Sequence, residues 1–206
     1  DILAESTSLT LIGGDVSSEF SIFELFVKML RKLAGSGRRT FVFVLGNHEL
    51  WNFPGLSVDE IVDKYRTVLK ENGMYLLHND LFYRNESDDM GIIPYDELIQ
   101  SDNPAILEKL RCTRLVILGG LGFSGYNEEF NANDGVYRAT VDRNTEIQES
   151  KKFEQLYDKL TDVLAKKNTV IFTHTPKKDW CVDAKCHDNF VYVSGQIGRA
   201  SCRERV

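Results

Sequence analysis

Four short apolar runs, each ending at a turn-forming residue, constrain this chain more than any other feature. Leu9–Ile12 runs into Gly13-Gly14-Asp15, and residues 41–45 into Gly46-Asn47-His48-Glu49. Residues 170–172 run into Thr173-His174-Thr175-Pro176, and residues 190–193 into Ser194-Gly195. Runs this short and this rich in Val, Ile, Leu and Phe read as strands buried on both faces, and residues 115–118 read the same way. Between them, residues 18–33, 57–70 and 146–166 place apolar side chains at helical spacing. Ser57 followed by Glu60 is a capping-box start for the second helix. Strands alternating with helices predict an α/β fold. Residues 75–77 and 81–83 read as a hairpin or adjacent strands, and residues 87–104 as an acidic irregular loop with one short helix.

The chemistry-bearing side chains stand where those strands end. Sites in parallel α/β sheets gather at the carboxyl ends of strands. Glycine there lets the backbone turn sharply and approach a ligand. Asp15, Asn47, His48 and His174 form an oxygen and nitrogen set, which suits Mn²⁺, Fe²⁺ or Zn²⁺ better than a soft thiolate site would. Plainer roles stay open at this level: a helix cap for Asp15, turn stabilisation for Asn47 and His48, core packing for His174. His78 sits in an expected turn with a structural or solvent-facing role. Trp51 either lines the cleft or packs.

The sequence Gly120-Leu121-Gly122-Phe123-Ser124-Gly125 spells a dinucleotide-binding pattern. That fingerprint needs a helix to begin inside it. Tyr126, Asn127 and the Asn- and Gly-rich stretch beyond oppose one, so a loop near the site is expected, with Tyr126 and Asn127 as further candidates for substrate contact. Cys181, Cys186 and His187 lack the second ligand pair of a structural zinc site and read as incidental loop thiols.

Together the Gly14-Asp15, Gly46-Asn47-His48-Glu49 and His174 blocks, in this order, resemble the calcineurin-like metallophosphoesterase superfamily. The resemblance implies a sandwich of two mixed β-sheets flanked by helices (α/β/β/α). It implies hydrolysis of a phosphomonoester or phosphodiester by a hydroxide held on two divalent transition metals (Mn, Fe or Zn). Asp15 resembles the carboxylate that bridges the metals, and Asn47 and His174 resemble ligands of the second one. His48 resembles the residue that contacts the phosphate and protonates the leaving oxygen. Glu49 is expected to orient His48 or its loop. No further cofactor is implied.

Two blocks of the superfamily pattern are not found. No Asp-x-His precedes Asp15, and the run ending at Gly195 continues into Gln196 rather than His-x-His. The chain therefore reads as one metallophosphoesterase domain over residues 1–195, incomplete at both ends. Residues 197–206, IGRASCRERV, resemble the in-frame translation of a short-read sequencing adapter, so 196–206 is set aside as non-native. Of the 25 basic and 31 acidic residues, three and one lie in that tail, which leaves a net charge of −8. Such acidity argues against a surface built to grip nucleic acid, except as a substrate.

Three remaining cysteines make no disulfide framework and point to a reducing cytoplasm. No apolar run reaches the roughly 20 residues of a membrane helix. The expected partner is a phosphate-ester substrate, and the oligomeric state is open. The fragment itself is expected to be nearly inactive. A non-catalytic binding member of the same fold and a nuclease of the superfamily are the competing readings.

Overall fold

The computed structural model describes residues 8–35, 39–127, 136–137, 140–181 and 189–195. Three parallel strands, β1 (Leu9–Ile12), β2 (Thr40–Phe43) and β3 (Tyr75–Leu76), form one sheet in that order. Five strands form the other: β4 (Asp80–Asn85), β5 (Met90–Ile93), β6 (Thr113–Gly120), β7 (Thr169–Thr173) and β8 (Phe190–Ser194). Their order is β5-β4-β6-β7-β8, with β4 antiparallel to both neighbours and β6, β7 and β8 parallel. The larger sheet is thus mixed, whereas the smaller one pairs only in parallel among the described residues.

Side-chain alternation explains why the sheets stack as they do, because successive strand residues point to opposite faces. On the β2 run, Phe41, Phe43 and Leu45 pack with α1 (Phe20–Ala34) and α2 (Val58–Glu71), while Val42 and Val44 face the other sheet. On β6, Ile117 joins Val42, Val44, Leu77, Phe82 and Phe172 between the sheets. Its neighbours Val116 and Leu118 turn outward onto the second helical layer. That layer comprises α3 (Tyr95–Gln100), α4 (Asn103–Lys109), α5 (Arg143–Leu164) and α6 (Lys177–Trp180). The result is the expected α/β/β/α layering. Each fully buried Val, Leu, Ile or Phe contributes about 1.5–3 kcal/mol, and three such apolar layers hold the stack.

The helices begin and end where local chemistry dictates. The Ser57 hydroxyl accepts from the Glu60 N–H while the Glu60 carboxylate accepts from the Ser57 N–H at 2.8 Å, the reciprocal box read from the sequence. Asp142 caps α5 by accepting from the Thr145 N–H at 2.8 Å. Helix α1 closes at Gly35, whose φ of 64° is left-handed.

Two sequence expectations are corrected. Residues 75–77 and 81–83 do not pair as a hairpin: β3 closes the smaller sheet and β4 enters the larger one. Residues 77–79 carry the chain between layers, with Asn79 at a φ of 61° and His78 buried. Residues 87–104 are also more regular than expected, since β5 and α3 lie within them and α4 begins there. Alternation over β5 is short, and Gly91 within it has no side chain to show its face.

Candidate active site

Asp15 follows β1 through Gly14, whose φ is 85°, and itself takes a φ of 56°. Aspartate is among the few non-glycine residues that tolerate this left-handed conformation. The N-cap of α1 is Glu19, so Asp15 does not serve that role. Gly46, Asn47 and His48 leave β2 into a single 3-10 turn, His48–Leu50. His174 directly follows β7. Sheet topology thus brings three strand ends to one edge, and their side chains meet.

Glu49 fastens two of those ends together. It is fully buried, and its carboxylate accepts from four backbone N–H groups. Oε2 takes Asp15 at 2.9 Å and Gly46 at 2.8 Å, and Oε1 takes Val16 at 2.6 Å and Ser17 at 3.1 Å. The Tyr65 hydroxyl donates to the Glu49 carbonyl at 2.9 Å. Glu49 therefore orients the loop of Asp15 as well as its own. Gly46 is required at the crossing, because a Cβ there would stand 2.6 Å from the Asp15 nitrogen and 2.7 Å from His174 Cε1. Gly13 meets Gly195 across the sheets, with a Cβ on Gly13 falling 2.6 Å from Gly195 Cα.

The protons on this cluster can be assigned from geometry. His174 Nδ1 lies 2.6 Å from the Gly13 carbonyl, which can only accept, so Nδ1 carries hydrogen. In the neutral ring Nε2 is then a lone pair. It faces Asn47 Oδ1 at 3.2 Å and Asp15 Oδ2 at 3.6 Å. The Asn47 amide is turned oxygen-inward because its Nδ2 donates to the Val136 carbonyl at 3.0 Å. With the ring in that neutral form, three acceptor atoms converge with no hydrogen between them. A divalent cation satisfies such a set, and nitrogen, amide oxygen and carboxylate suit a borderline transition metal. The Gly13 bond supplies the outer hydrogen bond that metal-binding histidines normally make. Among the described residues no group of three or more His, Cys, Asp and Glu side chains is placed to hold a metal ion. The third ligand-type atom here is the Asn47 amide oxygen.

His48 stands beside this set without joining it. Its N–H donates to Asp15 Oδ1 at 3.1 Å, while its Nε2 lies 3.8 Å from Asp15 Oδ2. Its side chain is 41% exposed, whereas that of His174 is 1% exposed, so the two histidines differ in access to an incoming molecule. The His48 ring stacks on Trp51, with centroids 3.7 Å apart and planes at 28°. Trp51 Nε1 donates to the same Val136 carbonyl at 2.6 Å.

The four predicted site residues are thereby brought together. Three contributions were not legible in advance: the Val136 carbonyl, the Trp51 shelf and the reach of Glu49 to four donors. The first is backbone and leaves no mark in a residue pattern. The Tyr126 hydroxyl donates to Glu154 at 2.8 Å and the Asn127 amide to Asp179 at 2.9 Å. No helix begins within residues 120–125; Gly122 and Phe123 have φ of 86° and 60°, and Ser124 donates its N–H to the buried Glu146. Burial pushes the Glu146 carboxyl up to about 7. Cys112 is an exposed free thiol, and Cys181 is buried, its thiol pushed up to about 11 by burial. Cys186, His187 and residues 196–206 lie outside the described residues.

No curated protein and no solved structure matches the chain. The family model of calcineurin-like phosphoesterases matches residues 1–198. That match spans the strand-end loops that carry Asp15, Asn47, His48 and His174, and by it the chain belongs to the calcineurin-like phosphoesterase family.

Proposed function

We propose that this chain belongs to a metal-dependent phosphoesterase that hydrolyses a phosphomonoester or phosphodiester. One observation carries the reading: Asp15 Oδ2, Asn47 Oδ1 and His174 Nε2 converge as acceptors beside a solvent-accessible histidine. These three side chains would hold a divalent Mn, Fe or Zn ion. When bound, such an ion polarises a phosphoryl oxygen and makes water acidic enough to attack at neutral pH.

The chain's own residues then do the rest. Asp15 supplies the negative charge that a neutral amide cannot. Asn47 and His174 are held by Val136 and Gly13, so each presents a lone pair inward. His48 contacts the phosphate and hands a proton to the leaving alkoxide, a general-acid role worth about 10²–10⁴-fold. Glu49 keeps the two loops at their spacing and does not touch substrate.

One set of ligands stands here and the Asp-x-His and Gly-His-x-His blocks do not. The 206-residue chain is therefore proposed to bind one metal and to turn over little, and the full-length protein to bind two. The acidic net charge disfavours a nuclease, and the convergent polar set disfavours a purely structural member of the fold. The sparse, odd set of cysteines outside the 196–206 tail suits a reducing, cytoplasmic compartment. Among the described residues no helix is long and apolar enough to cross a membrane.

The test is a metal-supplemented assay on an alkyl phosphate monoester and its diester, whose leaving groups need a proton. The full-length protein should be active with Mn²⁺, silent with chelator, and disabled by Asp15→Asn or His48→Asn. Activity indifferent to chelator, or unchanged in both variants, contradicts the proposal.

A further inference from the structure

A half-exposed imidazole that serves as proton donor, as His48 is read to do, must be kept aimed at the leaving group. Its Nε2 is too far from Asp15 Oδ2, at 3.8 Å, for a hydrogen bond. Resting on that reading, we infer that Trp51 is a positioning residue whose indole is the shelf that holds His48 toward the substrate.

The ring pair is close and nearly parallel, at 3.7 Å and 28°, so one face of His48 is occupied. The shelf is pinned at both ends. The indole Nε1 donates to the Val136 carbonyl at 2.6 Å, and the Trp51 carbonyl accepts from Thr140 Oγ1 at 3.1 Å. Val136 and Tyr137 are themselves packed against the α1–α2 core, with the Tyr137 ring 5.4 Å from that of Phe123. The Val136 carbonyl also takes the Asn47 amide at 3.0 Å. One backbone oxygen thus anchors the amide that faces His174 and the shelf beneath His48. Holding a catalytic group in one orientation before reaction is a recognised source of rate, and small misplacements are costly.

Two measurements test this. In NMR spectra of the 206-residue chain, the His48 ring protons should be displaced by the indole ring current. Trp51→Phe should keep a displacement and Trp51→Leu should abolish it, with His174 resonances unmoved in both. In the full-length protein, Trp51→Leu should lower kcat on an alkyl phosphate, whose leaving group needs a proton, by about tenfold or more. On p-nitrophenyl phosphate, which needs none, the loss should stay under about threefold, with Trp51→Phe restoring the alkyl rate. An undisplaced His48 ring in the wild type overturns the inference, and so does equal loss on both esters. A wild type that hydrolyses neither ester while His48 remains displaced overturns the proton-donor reading instead, and Trp51 then only packs.

Discussion

At the scale of single residues, buried carboxylates set both the shape and the pH response of this molecule. Glu49 accepts four backbone N–H groups, and amide replacement would turn an NH₂ toward two of them. Leaving two of these donors unpaired costs about 2–6 kcal/mol. Glu49→Gln should therefore lower the unfolding free energy in urea by that amount, and a loss below about 1 kcal/mol would contradict the clamp. Glu146 acts in the opposite sense. Burial raises its carboxyl from an ordinary 4.5 to about 7, so the folded state keeps a proton that the unfolded chain loses earlier. Its contribution is full below pH 4.5 and is lost as pH rises to about 7, a total of roughly 3 kcal/mol at 1.4 kcal/mol per pH unit. Asp80 and Asp179, also raised by burial, add slopes of the same sign. Urea midpoints should fall between pH 5 and pH 7.5, and Glu146→Gln should remove most of that slope while keeping the Ser124 bond. An unchanged slope would show that another group carries it. Asp15, Asn47, His48 and His174 were legible because residue type, order and strand-end position all agreed. Glu49 was seen as an orienting residue, but not its reach, since the loop it holds lies 32–34 residues away in sequence.

At the scale of elements, β1, β2, β7 and β8 were legible to within a residue or two because each is a short, mostly apolar run ending at a turn-forming residue, although β8, at the edge of its sheet, leaves Val191 exposed rather than buried on both faces as expected. Strands β3 and β4 misled for a physical reason: three intervening residues resemble a turn, yet the register of β4 is fixed by β6, not by its nearest neighbour in sequence. The two sheets touch at their ends through Gly13 and Gly195, and the Gly13 carbonyl there fixes the His174 ring. Gly13→Ala would force those ends apart. It should destabilise the fold by about 1–3 kcal/mol, as overpacking does, and weaken Mn²⁺ binding measured by calorimetry. Unaltered metal affinity in a folded Gly13→Ala protein would mean that the glycine contact does not orient His174.

At the scale of the whole molecule, two sheets and two helical layers hold three loops at one edge, so the polar cluster is a property of the stack and of no single segment. The layer order was implied by family resemblance, and alternation along β2 and β6 gives it a physical cause. What the sequence could not show is the contribution of Val136 and Thr140, made largely by backbone and by long-range contact. Asp15, Asn47 and His174 are proposed to form a cation site. Its most direct test is titration of the metal-free 206-residue chain with Mn²⁺ by calorimetry, beside Asp15→Asn and His174→Ala. Saturation at one ion per chain, lost in both variants while each remains folded, is the predicted result. No saturable binding, or binding that survives both substitutions, would contradict it.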